Sequence, residues 1–159
     1  MQRNLSKAAK PSPRLTNMVK DKLRNGESVI GPVISVNNVE VAARAASLGF
    51  DFIWLEMEHC PLSLETVRNI VLATRGLPAV PLARPPTNEL WTAKRLLDAG
   101  VLGVIFPFTR TPELARQAVA ACRYPPHGLR GSGASWKARL ADSRREANSP
   151  TRPAFRRSN

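Results

Sequence analysis

Reactive side chains follow two apolar runs of this chain. Residues 52–55 are all apolar, and two carboxylates and an imidazole follow them within residues 56–59. A second apolar run, residues 79–83, ends in Arg84. Unbroken apolar runs of this length are typical of strands buried on both faces of a parallel sheet. Because α/β folds place their chemistry at the carboxyl ends of such strands, the sequence predicts that acid, base and guanidinium share one rim.

The elements that would position this rim alternate between strand and helix. The expected strands, each with the helix that follows it, are 29–36 with 39–48, 50–56 with 64–74, 79–83 with 89–99, and 103–106 with 114–122. Ser63 is an expected helix cap, as is Thr87 or Asn88, and Gly100 is an expected helix end. Four such units in succession are typical of a parallel sheet or barrel.

The net charge of +12 lies mainly at the two ends of the chain, residues 1–24 and 131–159. These basic ends carry net charges of +6 and +5, whereas residues 25–130 carry only +1. A fold that binds nucleic acid usually has its basic patch on the folded part. Nucleic acid is therefore not the partner we expect. A non-catalytic interaction module, whose basic ends bind nucleic acid or a partner chain, is the alternative function.

Length and composition predict one domain with basic termini. We expect a flexible segment at residues 1–27, a folded part at 28–133 and a disordered tail at 134–159, where apolar residues become rare. No apolar run approaches the roughly 18 residues that span a membrane. Cys60 and Cys122 form no disulfide framework. We expect a cytoplasmic protein with reduced thiols and no membrane partner.

Four stretches, in the expected order, resemble the HpcH/HpaI aldolase family of metal-dependent pyruvate aldolases, which share a domain with citrate lyase β-type proteins. They are residues 49–59 with their acid-x-Glu-His ending, 82–85, 93–107 and 123–133. The resemblance covers roughly residues 28–133. It implies an α/β fold, a half-barrel made of the first four units of a TIM (β/α)8 barrel. The activity it implies is a carbon–carbon lyase that cleaves a 4-hydroxy-2-oxo acid to pyruvate and an aldehyde.

The resemblance also implies roles for individual residues. His59 would be the catalytic base and Glu56 the acid that orients it, while Glu58 could equally be an ion-paired residue of the rim. Arg84 would bind the carboxylate and enolate oxygens of a 2-oxo acid. Its alternative is a structural arginine paired with an acid such as Glu56. Asp98 corresponds to a family acid near the site, although an aspartate at a helix end can simply face solvent.

Three departures from the family pattern limit the activity that we expect of this chain. The family holds a divalent metal (Mg²⁺, Mn²⁺ or Co²⁺) through a Glu and an Asp beyond the fourth strand, and it usually has Asp where Glu56 stands. A complete barrel also needs about 250 residues. We therefore expect a truncated or frame-shifted copy without metal ligands and without aldolase activity of its own. Its open strand edges should favour self-association or a partner chain.

Overall fold

The computed structural model describes residues 17–131, so the predictions for residues 1–16 and 132–159 lie outside the described range. Within it, four parallel strands in the order β1-β2-β3-β4 alternate with helices. The elements are α1 Met18–Arg24, β1 Val33–Ile34, α2 Val39–Ala46, β2 Phe52–Glu56, α3 Leu64–Ala73, β3 Val80–Arg84, α4 Leu90–Ala99, β4 Gly103–Val104 and α5 Pro112–Cys122. This architecture confirms the predicted α/β half-barrel of four strand–helix units.

Local sequence signals account for most helix boundaries. The side chain of Ser63 accepts a hydrogen bond from the backbone of Thr66 and caps α3, as predicted. Gly100 ends α4 with a positive φ of 112°, a left-handed conformation that favours glycine. The predicted cap of α4 is wrong, because the residue before that helix is Glu89, whose side chain makes no capping bond. Asn88 instead donates its amide N–H to Thr109 Oγ1 at 3.2 Å.

One side of the sheet packs against the helices and forms the core. Leu55 of β2 pairs with Ile34 on one side and Ala83 on the other, and all three side chains are buried. Helix residues that complete this core include Ala42, Val67, Ile70 and Leu96. Full burial of a Leu or Ile side chain stabilises a fold by about 1.5–3 kcal/mol. This packing fixes the strands and thereby the positions of the groups at their ends.

The opposite side of the sheet, which we call the inner face, is not covered by the helices that follow the strands. In its middle row Trp54 pairs with Val33 and Leu82, and at its carboxyl end Glu56 pairs with Arg84. Val33 is 54% exposed. Because side chains alternate along a strand, Trp54 and Glu56 point to the same side. The inner face corresponds to the interior of a barrel.

Helix α1 lies across the amino end of the sheet and was not predicted. Asn17 caps it and donates its side-chain N–H to the Leu102 carbonyl at 3.0 Å. Lys22 Nζ lies 2.6 Å from Asp51, just before β2, and Val19 is buried. Residues 17–24 are therefore part of the folded unit, whereas the sequence predicts a flexible segment over residues 1–27. Within residues 17–131 no helix is long and apolar enough to cross a membrane.

Candidate functional site

The rim predicted from the sequence forms at the carboxyl ends of β2 and β3. The register of these strands places Glu56 directly beside Arg84. Arg84 Nη2 lies 2.6 Å from Glu56 Oε2, and Arg84 Nε lies 3.0 Å from Glu58 Oε2. Both carboxylates are almost completely buried, with side chains 5% and 8% exposed. One guanidinium thus serves two buried carboxylates. The ion pair with Glu56, on which the structural alternative for Arg84 depends, is present.

Glu56 also organises the turn that follows β2. Its Oε1 accepts hydrogen bonds from the backbone N–H groups of Glu58, at 2.7 Å, and His59, at 3.2 Å. Burial favours the neutral acid, but the Arg84 guanidinium and these two N–H groups outweigh it and hold the pKa of Glu56 below its ordinary value. In turn, Glu56 raises the pKa of Arg84. Glu56 is therefore an ionised anchor of the rim.

His59 lies at the outer edge of the rim, with its side chain 69% exposed. Its Nε2 is 3.7 Å from Glu58 Oε2, whereas Glu56 reaches His59 only through the backbone N–H. The carboxylate beside the imidazole is thus that of Glu58. Glu56 orients the turn that carries His59. Such an exposed imidazole next to a carboxylate is accessible to a ligand and suited to proton transfer.

Trp54 is a residue of the site that the sequence analysis did not single out. The guanidinium carbon of Arg84 lies 5.1 Å from the centroid of its ring, a cation–π contact. The signal that could have found it is the period of two along β2, which puts Trp54 on the same side as Glu56.

Asp98 does not join the rim. It lies near the end of α4, which starts at the carboxyl end of the sheet and returns to the amino end. There Asp98 Oδ1 lies 2.9 Å from Arg130 Nη2, and the Arg130 guanidinium stacks over Tyr124 at 4.8 Å. Asp98 is half-buried, so it does not simply face solvent either. In this chain its contacts tie α4 to the segment after α5.

The rim does not resemble a metal site. Within the described part of the chain, no group of three or more His, Cys, Asp and Glu side chains is arranged to hold a metal ion. The two buried carboxylates face Arg84 instead. The rim residues, all between positions 17 and 131, therefore do not fit the divalent metal that the resemblance implies.

An open cavity of about 370 Å³ lies away from the rim, between α1 and the β3–β4 side of the inner face. Its lining residues are Asn17, Val19, Lys20, Leu23, Arg24, Leu82, Leu102 and Gly103. It contains none of the rim residues. The cavity is therefore separate from the candidate chemistry.

Two curated proteins with similar sequences are named as aldolases. The hydroxypyruvate/pyruvate aldolase of Roseobacter denitrificans is 34% identical over 121 residues, which are 76% of this chain and 47% of that protein. A 4-hydroxy-2-oxo-heptane-1,7-dioate aldolase of Salmonella arizonae is 36% identical over 140 residues, 84% of this chain and 53% of that protein. The chain spans about half the length of the curated relatives it matches.

Two solved structures with a similar fold are named as HpcH/HpaI proteins. A crystal structure of an HpcH/HpaI aldolase/citrate lyase family protein from Burkholderia cenocepacia J2315 has a TM-score of 0.74 and 34% identity, over 82% of this chain and 54% of that chain. An HpcH/HpaI aldolase from Desulfitobacterium hafniense DCB-2 has a TM-score of 0.68 and 28% identity, over 78% of this chain and 52% of that chain.

The profile of the HpcH/HpaI aldolase/citrate lyase family matches residues 33–152. The match continues beyond residue 133, where we had placed the end of the resemblance, and includes most of the segment that we expected to be a disordered tail. The structure of that segment lies outside the described residues. The family is one of class II aldolases, which are generally metal-dependent. With its half-barrel fold, its ordered motifs and this match over most of its length, the chain belongs to the HpcH/HpaI aldolase/citrate lyase family.

Proposed function

We propose that this chain provides the base and the carboxylate-binding group of a 2-oxo-acid aldolase site, a carbon–carbon lyase that releases pyruvate. The observation that carries the proposal is the convergence of Glu56, Glu58 and Arg84 at the ends of adjacent strands, with His59 at the accessible edge. The relatives named as aldolases support the same reaction class.

The chemistry assigned to each group follows from its position. His59 takes the proton from the C4 hydroxyl of a 4-hydroxy-2-oxo acid, and the C3–C4 bond breaks to release an aldehyde. The electron pair of that bond stays on the pyruvate fragment as an enolate. A proton is then added at C3, with net return of the proton that His59 took, so that pyruvate forms and the base is restored. Arg84 binds the substrate carboxylate and the developing enolate oxygen. Glu58, 3.7 Å from the imidazole, stabilises it once it is protonated.

The net charge of the rim limits the ligand affinity and the activity that this half-barrel has alone. Glu56 and Glu58 against Arg84 sum to −1, so the net charge of the rim opposes an anionic substrate and only the nearby Arg84 guanidinium attracts it. We propose that the chain binds 2-oxo acids with a Kd on the order of millimolar, equivalent to about 4 kcal/mol. Stabilisation of the enolate would rest on a single guanidinium that already serves two carboxylates. We therefore propose that the isolated chain does not turn over.

The first experiment measures binding and turnover separately. Oxamate, an unreactive isostere of pyruvate, is titrated into the full chain and followed by NMR, and Arg84→Gln should abolish the shifts of the rim resonances. Pyruvate release from 4-hydroxy-2-oxo-heptane-1,7-dioate, coupled to lactate dehydrogenase, should not exceed that of a His59→Ala control. Binding that survives Arg84→Gln would refute the role of Arg84.

A second experiment tests whether the rim residues are catalytic in a complete barrel. Residues 1–131 are fused to the second half of the Burkholderia cenocepacia relative, which supplies the remaining strands of a barrel. The fusion should release pyruvate, and His59→Ala should reduce its kcat by about 10²-fold or more, as expected for loss of a general base. A folded fusion whose activity does not depend on His59 would contradict the assignment of the base.

We propose further that the inner face is covered in solution by a second chain. The strands β1 and β4 are open edges of the sheet, and Val33 on the inner face is exposed. Val33→Asp should lower the mass measured by analytical ultracentrifugation, whereas Val41→Asp, at an equally exposed position of α2, should not. A monomeric wild-type chain at micromolar concentration would refute self-association and leave a different partner chain as the occupant.

A further inference from the structure

The guanidinium of Arg84 is held by a third contact besides its two carboxylates. Trp54 lies two residues before Glu56 on the inner face, and it pairs with Leu82, which lies two residues before Arg84. The indole is thus placed beneath the end of β3, 5.1 Å from the guanidinium carbon. The strand register produces this contact, since each of the four positions is fixed by the pairing of β2 with β3.

The contacts of Arg84 leave one part of the guanidinium unused. Its Nη2 lies 2.6 Å from Glu56 and its Nε 3.0 Å from Glu58, but Nε and Glu56 Oε2 have no aligned hydrogen-bond partner among the described residues. Nη1 makes no hydrogen bond to the residues between 17 and 131. The Nη1–Nη2 end of a guanidinium forms a planar fork that fits a carboxylate. The direction of this fork depends on the plane of the guanidinium.

We propose that Trp54 is a positioning residue, whose ring fixes the plane of the Arg84 guanidinium so that its Nη1–Nη2 end binds the carboxylate of a 2-oxo acid. The inference rests on the proposed function, because it assumes that Arg84 binds the ligand. Two ion pairs that lack aligned hydrogen bonds leave the plane of the guanidinium free to tilt. A flat aromatic surface below it removes this freedom, and a preorganised donor binds more tightly than a mobile one.

The indole is not held in place by a hydrogen bond of its own. Trp54 Nε1 is buried, and it has no hydrogen-bond partner among the described residues. The face of the ring, and not its N–H, is therefore the part that makes the specific contact. Phenylalanine would keep an aromatic face and remove the unpartnered N–H. Trp54→Phe is for this reason the conservative variant, and Trp54→Leu is the disruptive one.

The chain offers a matched control in Trp91. Arg95 lies over its ring at 5.7 Å, so Trp91 makes the same type of contact. Its indole N–H bonds the side chain of Glu89, and it is 55% exposed on α4, outside the rim. Trp91→Leu removes an aromatic–arginine contact without touching the rim.

The test titrates oxamate into the full chain and its variants, with far-UV circular dichroism to verify folding. Trp54→Leu should weaken oxamate binding about three- to tenfold, the range expected for loss of a partly buried cation–π contact. Trp54→Phe should weaken it less than about twofold, and Trp91→Leu should not change it. Equal affinity of Trp54→Leu and wild type, or an equal loss with Trp91→Leu, would overturn the inference. If Trp54→Leu does not fold, Trp54→Met takes its place with the same expectations.

A readout without ligand separates this inference from the proposed function. In ¹⁵N-labelled chain the Arg84 Nε–Hε resonance should shift in Trp54→Leu, because the ring current of the indole is lost, and stay near its position in Trp54→Phe. If wild type does not bind oxamate, the proposed function fails and the resonance alone decides whether Trp54 positions Arg84. An Arg84 resonance that does not move in Trp54→Leu overturns the positioning role, even if oxamate binds.

Discussion

Glu56→Gln is the substitution that most directly tests the structure of the rim. Glutamine keeps the shape of the side chain and an oxygen that can accept the backbone N–H groups of Glu58 and His59. It removes the negative charge 2.6 Å from Arg84 and can place an amide N–H against the guanidinium. The variant therefore changes charge at one buried point without creating a cavity.

The expected loss in the free energy of unfolding follows from the contacts of Glu56 that lose a charged partner. Hydrogen bonds to an ionised acceptor contribute about 1.5–3 kcal/mol each, against about 0.5–1.5 kcal/mol for neutral ones. Two backbone bonds of Glu56 weaken in this way, and the ion pair is lost. Arg84 keeps Glu58 at 3.0 Å, and glutamine is less costly to bury than a carboxylate. We expect a net loss of about 2 kcal/mol in the free energy of unfolding at pH 7.

The assay is urea unfolding followed by circular dichroism. With a slope of about 2 kcal/mol per molar urea for a chain of this size, the midpoint should fall by about 1 M. Glu113→Gln is the matched control, because Glu113 also pairs with an arginine, Arg116 at 2.9 Å, but lies exposed on α5. Its midpoint should not change measurably, since exposed ion pairs contribute little.

The pH dependence of the free energy of unfolding tests independently whether the charge of Glu56 is what stabilises the rim. Because the pKa of Glu56 in the folded chain is below its ordinary value of 4.5, its contribution is fully present above pH 4.5 and is lost as the pH falls through the folded pKa. The difference in the free energy of unfolding between wild type and Glu56→Gln should therefore be constant from about pH 7 to 5.5 and shrink at lower pH. An unchanged midpoint at pH 7, or a difference that persists when wild-type Glu56 is protonated, would refute this account of the rim.

Three further predictions concern other parts of the chain. Gly31→Ala should destabilise the fold by about 1–3 kcal/mol, measured by urea unfolding, because the new Cβ would lie 2.2 Å from the Phe52 carbonyl oxygen and separate β1 from β2. Asp98→Asn should lower the urea midpoint, because it weakens the ion pair with Arg130, but it should leave oxamate affinity unchanged. A loss of oxamate affinity would show that Asp98 contributes to the binding site. Binding to labelled duplex DNA, measured by anisotropy, should be weak and fall at least tenfold between about 50 and 200 mM salt, because the positive charge lies in the basic ends.

Most of the fold could be predicted from the sequence because its signals are local. Apolar runs, Ser63 as a cap and Gly100 as a helix end act within a few residues of their own position. Helix α1 was missed because its stabilising contacts are distant, with Asn17 bonded to the Leu102 carbonyl and Lys22 to Asp51. No pattern within seven helical residues reveals such partners.

The site was predictable to the extent that strand order determines it. Consecutive parallel strands place the residues at their ends side by side, which brought Glu56 to Arg84. The same topology shows why Asp98 is remote from them, since α4 follows β3 and must return to the amino end of the sheet before β4 begins. Which carboxylate lies beside His59 depends on the path of a turn, so the resemblance alone pointed to Glu56, whereas Glu58 is the carboxylate next to the imidazole.

The balance of charge at the rim is the reason that we expect this half-barrel to hold the geometry of the proposed site but to bind its ligand weakly. Glu56 and Glu58 are buried, and Arg84 neutralises only one of the two charges, so an incoming carboxylate competes with two others for one guanidinium. That competition stabilises the rim in the absence of ligand, because each buried carboxylate keeps a cation within 3.0 Å. It also weakens the binding of any anion at the same place. Additional positive charge must therefore come from groups outside Arg84, and the aldolase relatives, of whose length this chain matches about half, have a second half from which to supply it.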